Sequence, residues 1–234
     1  MKSTIIKEWL VKLQGASCDL NELESIFVSP FVRVIKEEGI FYLKAVRFNS
    51  IQKPDDVLKE AKQLLEVASG AAKLHLDYYG HVEVANFIIG FDKRGKAHKF
   101  GFGFGTGRPI NKLRKDPIAV QAWLAKADHD KQVADALRFF SEPNWFNLYK
   151  IYELIRDQAG DVTKQGWVTR NDLSRFTSTA QSRDSIGDAA RHASKKYTAH
   201  KEPMTRAEAI SFVKNLLQKW LSSLTQVSNT DGKQ

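Results

Sequence analysis

The sequence predicts an α+β chain, in which an N-terminal mixed antiparallel sheet with one long helix is followed by an all-helical C-terminal domain. Three observations carry this. Up to about residue 110, runs of β-branched and aromatic residues are separated by turn signals. Within that stretch one segment, beginning at Pro54, has helical spacing instead. After Pro109 the apolar residues recur mainly at three- and four-residue steps. The expected division is an α+β domain over 1–110, a helical domain over 111–225 and a frayed polar tail over 226–234.

The elements follow in order. Trp9-Leu10-Val11-Lys12-Leu13 forms an opening strand, and Phe31–Ile35 and Ile40–Val46 form two more. Glu37-Glu38-Gly39 between these two suits a short hairpin loop in which the glycine takes positive φ. Pro54-Asp55-Asp56 opens the helix, with proline in the first turn and two acids at the positive end of the dipole. Val57, Leu58, Ala61, Leu64, Leu65 and Ala68 form its stripe, and Ser69-Gly70 is the expected stop. A second hairpin runs from about His81 to Gly107, turning at Asp92–Lys96. Its return strand alternates Phe100, Phe102 and Phe104 with glycines, so all three rings point to one face.

The helical part starts at Asp116-Pro117, with Val120, Trp123, Leu124 and Ala127 on one stripe. Val133, Ala136, Leu137 and Phe140 mark a second helix, and Asp128-His129-Asp130 reads as acids in a first helical turn. Asn144 caps a third, carrying Trp145, Leu148, Tyr149, Tyr152 and Ile155. Thr205-Arg206-Ala207-Glu208 is a capping box for the last, which carries Ile210, Val213, Leu216, Leu217, Trp220 and Leu221. Val168–Pro203, rich in Ser, Thr and Arg, has weak periodicity and predicts only short helical pieces.

Composition excludes several classes. Hydrophobic residues make up 42% and charged residues 27%, an ordinary globular balance. One cysteine, Cys18, excludes a disulfide framework and a four-thiolate zinc site. No apolar run approaches the roughly 20 residues of a membrane span, and MKSTIIKEW lacks a secretory core, so a soluble cytoplasmic protein without a membrane partner is expected.

The charge is localised. With 36 basic and 27 acidic residues the chain carries +9. Between Lys93 and Lys115 lie eight basic residues and no acid: Lys93, Arg94, Lys96, Lys99, Arg108, Lys112, Arg114 and Lys115. Between Lys164 and Lys201 lie eight more against three acids, Lys195 and Lys196 among the basic ones, for a balance of +5. Cations beside aromatic rings on a strand are the physical recipe for single-stranded nucleic acid, the first neutralising phosphates and the second stacking bases. His98–Phe104 is similar to the central strand motif of RNA-recognition sheets. The elements read from the sequence do not give the βαββαβ order of those sheets, and three rings on one side of a strand are better read as a core, with the glycines letting a neighbour pack closely.

Other chemistry is sparse. Gly101–Gly107 is glycine-rich but leads to Arg108-Pro109 and not into a phosphate-binding helix. His-Glu-x-x-His is absent. Asp19 and Glu22 beside Cys18 disfavour a thiolate. Arg183, Arg191 and His192 are the candidates for catalysis, because an Arg near a His can bind a phosphate and move a proton. In this the helical half resembles the metal-independent HEPN ribonucleases, although the eight residues between Arg183 and His192 exceed the spacing of their motif. Arg191 and His192, being adjacent, diverge by about 100° on a helix.

The opening pattern Trp9–Gly15, Val32–Val34, Phe41–Leu43 and Ala71–Leu74 resembles one seen in many bacterial proteins. So does the closing pattern Phe176–Ala180, Gly187, Ala190–His192, Pro203–Thr205, Glu208-Ala209 and Trp220-Leu221. That resemblance implies a bacterial cytoplasmic protein and supplies no activity or site residue.

The expected function is a non-catalytic binding or interaction protein whose basic surface contacts nucleic acid or another polyanion, with no cofactor and no metal. Its binding residues would be Lys93, Arg94, Lys96, Lys99, Arg108, Lys112, Arg114, Lys115, Lys195 and Lys196. Two alternatives stand beside it. One is a protein–protein component without nucleic acid, presenting Trp145, Phe146, Tyr149 and Trp220. The other is the helical ribonuclease.

Overall fold

The computed structural model describes residues 5–29, 31–76, 80–101, 118–190 and 198–227, with side chains through Leu224. Two compact units divide the chain, Met1–His129 and Asp130–Gln234. The class is α+β, with a five-stranded antiparallel sheet in the first unit and helices in the second.

The first unit runs β1 (Ile6–Gly15), α1 (Ser17–Ile26), β2 (Val32–Glu37), β3 (Ile40–Ala45), a 3-10 turn Val46–Ser50, α2 (Pro54–His75), β4 (Val82–Asp92), β5 (Ala97–Gly101) and α3 (Ile118–His129). The sheet order is β2-β3-β1-β4-β5, every neighbouring pair antiparallel. Up to β4 this is the βαββαβ split arrangement, which corrects the order read from the sequence: α1 supplies the missing helix. β1 and β2 are parallel across β3, and β3 and β4 are parallel across β1. Right-handed crossovers through α1 and α2 therefore put both helices on the same face.

That inner face holds the fully buried Trp9, Val11, Leu43 and Ile88, with Val11 in register with both Leu43 and Ile88. α2 packs against β4 and β1. It continues through Ser69-Gly70 to His75, because Ala68, Ser69, Gly70, Ala71 and Ala72 are all buried and their small side chains allow close approach. The sheet's N-terminal strand is clamped at its start by Gln52, whose side chain accepts from the Ile6 amide and donates to the Ile6 carbonyl, both at 3.1 Å. α1 has no capping side chain; Asp19 within it is buried and accepts from the Gly80 amide at 2.9 Å, tying the helix to the entry of β4.

The second unit comprises α4 (Lys131–Ser141), α5 (Trp145–Ala159), α6 (Arg170–Gln181), α7 (Arg183–Ile186) and α8 (Arg206–Val227). Asp130 caps α4 by accepting from the Gln132 and Val133 amides, so Asp128 and His129 end α3 and do not open a helix. Asn144 caps α5 and Thr169 caps α6. The Thr205–Glu208 box closes as read: the Thr205 amide donates to Glu208 Oε2 at 2.7 Å, and the Glu208 amide donates to Thr205 Oγ1 at 3.2 Å. Phe176 on α6, fully buried, lies at the centre of the core, its ring centroid 6.4 Å from Trp145, 6.1 Å from both Tyr149 and Tyr152, and 5.0 Å from Phe212. α6 itself is a difference from the sequence reading of short pieces only: twelve residues, few of them strong helix formers, are held by this aromatic packing. None of the described helices is long and apolar enough to cross a membrane.

Candidate functional site

The β4–β5 hairpin is built around one carboxylate. Asp92 Oδ1 accepts from the backbone amides of Arg94 at 2.8 Å and Lys96 at 3.1 Å, and the Gly95 amide donates to the Asp92 carbonyl at 3.0 Å. This is a turn with aspartate first and glycine fourth, and Gly95 takes the positive φ of 75° that glycine accepts without strain. Asp92 Oδ2 lies 3.2 Å from His98 Nε2. The His98 bond, followed by the two amides, holds the Asp92 carboxyl below the usual carboxylate range, so it stays ionised.

With Asp92 turned into its own turn, the neighbouring cations are left outward. Lys93, Arg94 and Lys96 on the turn and Lys99 on β5 are all exposed, and among the described residues none of the four forms an ion pair. Lys99 is in register with Ile89, whose side chain belongs to the outer face of the sheet. On that face Leu10, Tyr42 and Ile89 form a small buried cluster, flanked by the half-buried Ile35, Ile40, Phe87 and Phe91. Burial, then Glu37 and Glu38, pushes the Tyr42 hydroxyl pKa up, so it stays neutral.

Phe100, the one ring of the Phe-Gly alternation within the described residues, turns the other way. Its register with Ile88 places it on the inner face, where its ring lies 5.7 Å from that of the fully buried Trp9. Trp9 reaches it over Gly90, where a Cβ would come within 2.8 Å of the indole. The rings beside the hairpin cations are instead Phe87 and Phe91 on β4. The alternation Phe87, Ile89, Phe91 was the sequence signal for them, masked by the apolar Ile88 between.

Of the other candidates, Arg108, Lys112, Arg114, Lys115, Arg191, His192, Lys195 and Lys196 lie outside the described residues. Arg183 is exposed on α7, and its Nη2 donates to Asp188 Oδ1 at 2.6 Å. Arg175 donates to the Glu202 carbonyl at 3.1 Å and to Glu208 Oε1 at 3.3 Å, bracing the approach to α8. Trp145, Tyr149 and Trp220 are buried, whereas Phe146 is 52% exposed, with Lys150 Nζ 4.2 Å from its ring centroid. Among the described residues no group of three His, Cys, Asp or Glu side chains is placed to hold a metal.

Compared with protein-family models, with curated proteins and with solved structures, the chain matches none.

Proposed function

We propose that this chain is a non-catalytic binding protein that contacts nucleic acid or a related polyanion through the β4–β5 hairpin. The observation that carries the reading is the set of four exposed cations, Lys93, Arg94, Lys96 and Lys99, without carboxylate partners among the described residues and grouped on one tight turn and the strand that leaves it. The one acid at the turn, Asp92, is engaged by backbone amides and His98, so it neutralises little of their field. Four phosphate contacts give a single-strand salt slope of about −3, or roughly fiftyfold weaker binding between about 50 and 200 mM salt.

The test is fluorescence anisotropy with labelled single- and double-stranded oligonucleotides and heparin at low salt, followed by a salt titration. Wild-type protein binds with that slope; the Lys93→Glu, Arg94→Glu, Lys96→Glu, Lys99→Glu variant, with an unchanged circular dichroism spectrum, does not. Absence of wild-type binding to all three at low salt, or full binding by the variant, removes the proposal. Phe146, exposed and stacked with Lys150, favours a second reading in which the helical unit meets a protein partner. Its test is a Phe146→Glu variant in a pull-down that wild type passes.

A further inference from the structure

We infer that the polyanion is a single-stranded nucleic acid whose bases stack on Phe87 and Phe91 at the outer face of the sheet. The inference rests on the hairpin being the polyanion site, and adds the substrate class.

The register of β4 with β5 is its basis. On the outer face of β4 stand Phe87, Ile89 and Phe91 at two-residue steps. Opposite them on β5 stand Gly101, Lys99 and Ala97 respectively. β5 is the sheet's edge among the described residues, so each phenylalanine faces outward across a glycine or an alanine, neither of which can cover a ring. Between them, opposite Ile89, the one long side chain on this part of β5 is a lysine. The result is a repeat of ring, cation and ring along the strand, continuing at the turn into Lys96, Arg94 and Lys93. Both rings are half-buried, fixed from below by the Leu10, Tyr42 and Ile89 cluster, so little side-chain freedom remains to be lost on binding.

The spacing selects the ligand. Four residues of strand separate the two rings by about 13 Å, several times the roughly 3.4 Å between stacked bases of one strand. Two rings at that distance take non-adjacent bases of a splayed strand, with Lys99 placed to meet phosphate between them. A duplex keeps its base faces within its own stack and offers the rings nothing, so it contacts the hairpin cations alone.

The experiment compares four ligands on the full chain: a thymidine homopolymer of about 16 nucleotides, an abasic strand with the same number of phosphates, a duplex, and heparin. Wild type binds the thymidine strand at least tenfold more tightly than the abasic one, as one good stacking contact allows. Phe87→Leu with Phe91→Leu keeps apolar bulk over the cluster but removes the flat rings. It brings thymidine binding down to the abasic level while heparin and duplex binding stay within about twofold.

Equal wild-type affinity for the thymidine and abasic strands overturns the inference with no variant needed. So does a leucine variant that retains the thymidine preference. Either result leaves the hairpin reading intact if the four-glutamate variant still abolishes binding. Failure of wild type to bind any of the four ligands at low salt removes the hairpin reading itself. A duplex bound more tightly than the single strand also overturns the inference, pointing to backbone recognition alone.

Discussion

At the β4–β5 hairpin and at the corner where Glu202–Glu208 leads into α8, a carboxylate is held below the usual range by hydrogen bonds, but the cations around the two are treated differently. At the hairpin the lowering of Asp92 comes from His98 and then from the amides of Arg94 and Lys96, and no Lys or Arg side chain shares in it. At the corner the lowering of Glu208 comes first from the Thr205 amide, then the Thr205 hydroxyl, and then from the side chain of Arg175. In the same basic stretch of sequence, Arg183 is paired with Asp188. Arg175 and Arg183 of the second basic stretch are thus engaged by carboxylates, whereas the four described cations of the hairpin are not. A cation that braces a helix entry contributes little field to an approaching anion, whereas one left outward on a tight turn contributes fully.

The largest effect that can break this contrast is on binding. Neutralising two hairpin cations, Lys96→Gln with Lys99→Gln, is expected to weaken single-stranded oligonucleotide binding about tenfold and to flatten the salt slope by about one and a half. Arg183→Gln, which removes the same type of charge from the other stretch, is expected to change affinity less than twofold. Anisotropy at two salt concentrations measures both. Comparable losses from the two variants would show that pairing with Asp188 does not withhold Arg183 from the ligand, and the contrast would fail.

The hairpin was legible because its chemistry is local. Aspartate at the first turn position and glycine at the fourth are required by that backbone whatever surrounds it, and Glu38-Gly39 between β2 and β3, at φ 50° and 79°, follows the same logic. The Thr205–Glu208 box was legible for the same reason. What was not legible depends on distant partners. α1 has no capping side chain, a polar sequence, and apolar residues at only Leu20, Leu23 and Ile26 on its buried side; its buried Asp19 finds Gly80, far along the chain, which no local pattern encodes. Without α1 the βαββαβ order could not be assembled, and the open outer face stayed hidden. Ser69-Gly70 reads as a helix stop locally, yet small buried residues there let α2 lie close to the sheet. The faces of β4 were obscured because Ile88 and Ile89 are both buried, one on each side of the sheet. Only the pairing of Ile88 with Val11, and of Ile89 with Leu10, separates inner from outer.

A smaller effect sharpens the corner's role as a structural brace. Thr205→Ala removes the hydroxyl that accepts from the Glu208 amide and donates to Glu208 Oε2. The expected loss is about 1 kcal/mol of stability in urea unfolding, with no change in oligonucleotide affinity. A binding defect without a stability defect would mean that the corner is part of the interface. Asp92→Asn probes the hairpin in the opposite sense. Asparagine can still accept from the Arg94 and Lys96 amides, so the turn persists, while one negative charge leaves the midst of four positive ones. Affinity should rise about two- to threefold at low salt, and the gain should fade as salt is added.

The smallest effect lies in the pH dependence, where the two carboxylates share a sign and differ in what they act on. Each has a folded pKa below its unfolded one, so each contributes stability that is fully present above the ordinary carboxylate range, near pH 4, and is lost as pH falls through the lowered folded value. For Glu208 the loss removes the acceptor of the capping box and of Arg175 together, so Glu208→Gln should be less stable than wild type at pH 6, with the gap closing as pH falls below 4. For Asp92 the same protonation also strips the one negative charge from the turn. Polyanion affinity should therefore rise as pH falls into that range, and Asp92→Asn, already neutral, should lack this component of the rise. Denaturant unfolding and anisotropy followed over the same pH series separate the two consequences. A wild type and Asp92→Asn pair with parallel affinity profiles would show that Asp92 has no influence on the hairpin's field, and would remove the electrostatic half of the comparison.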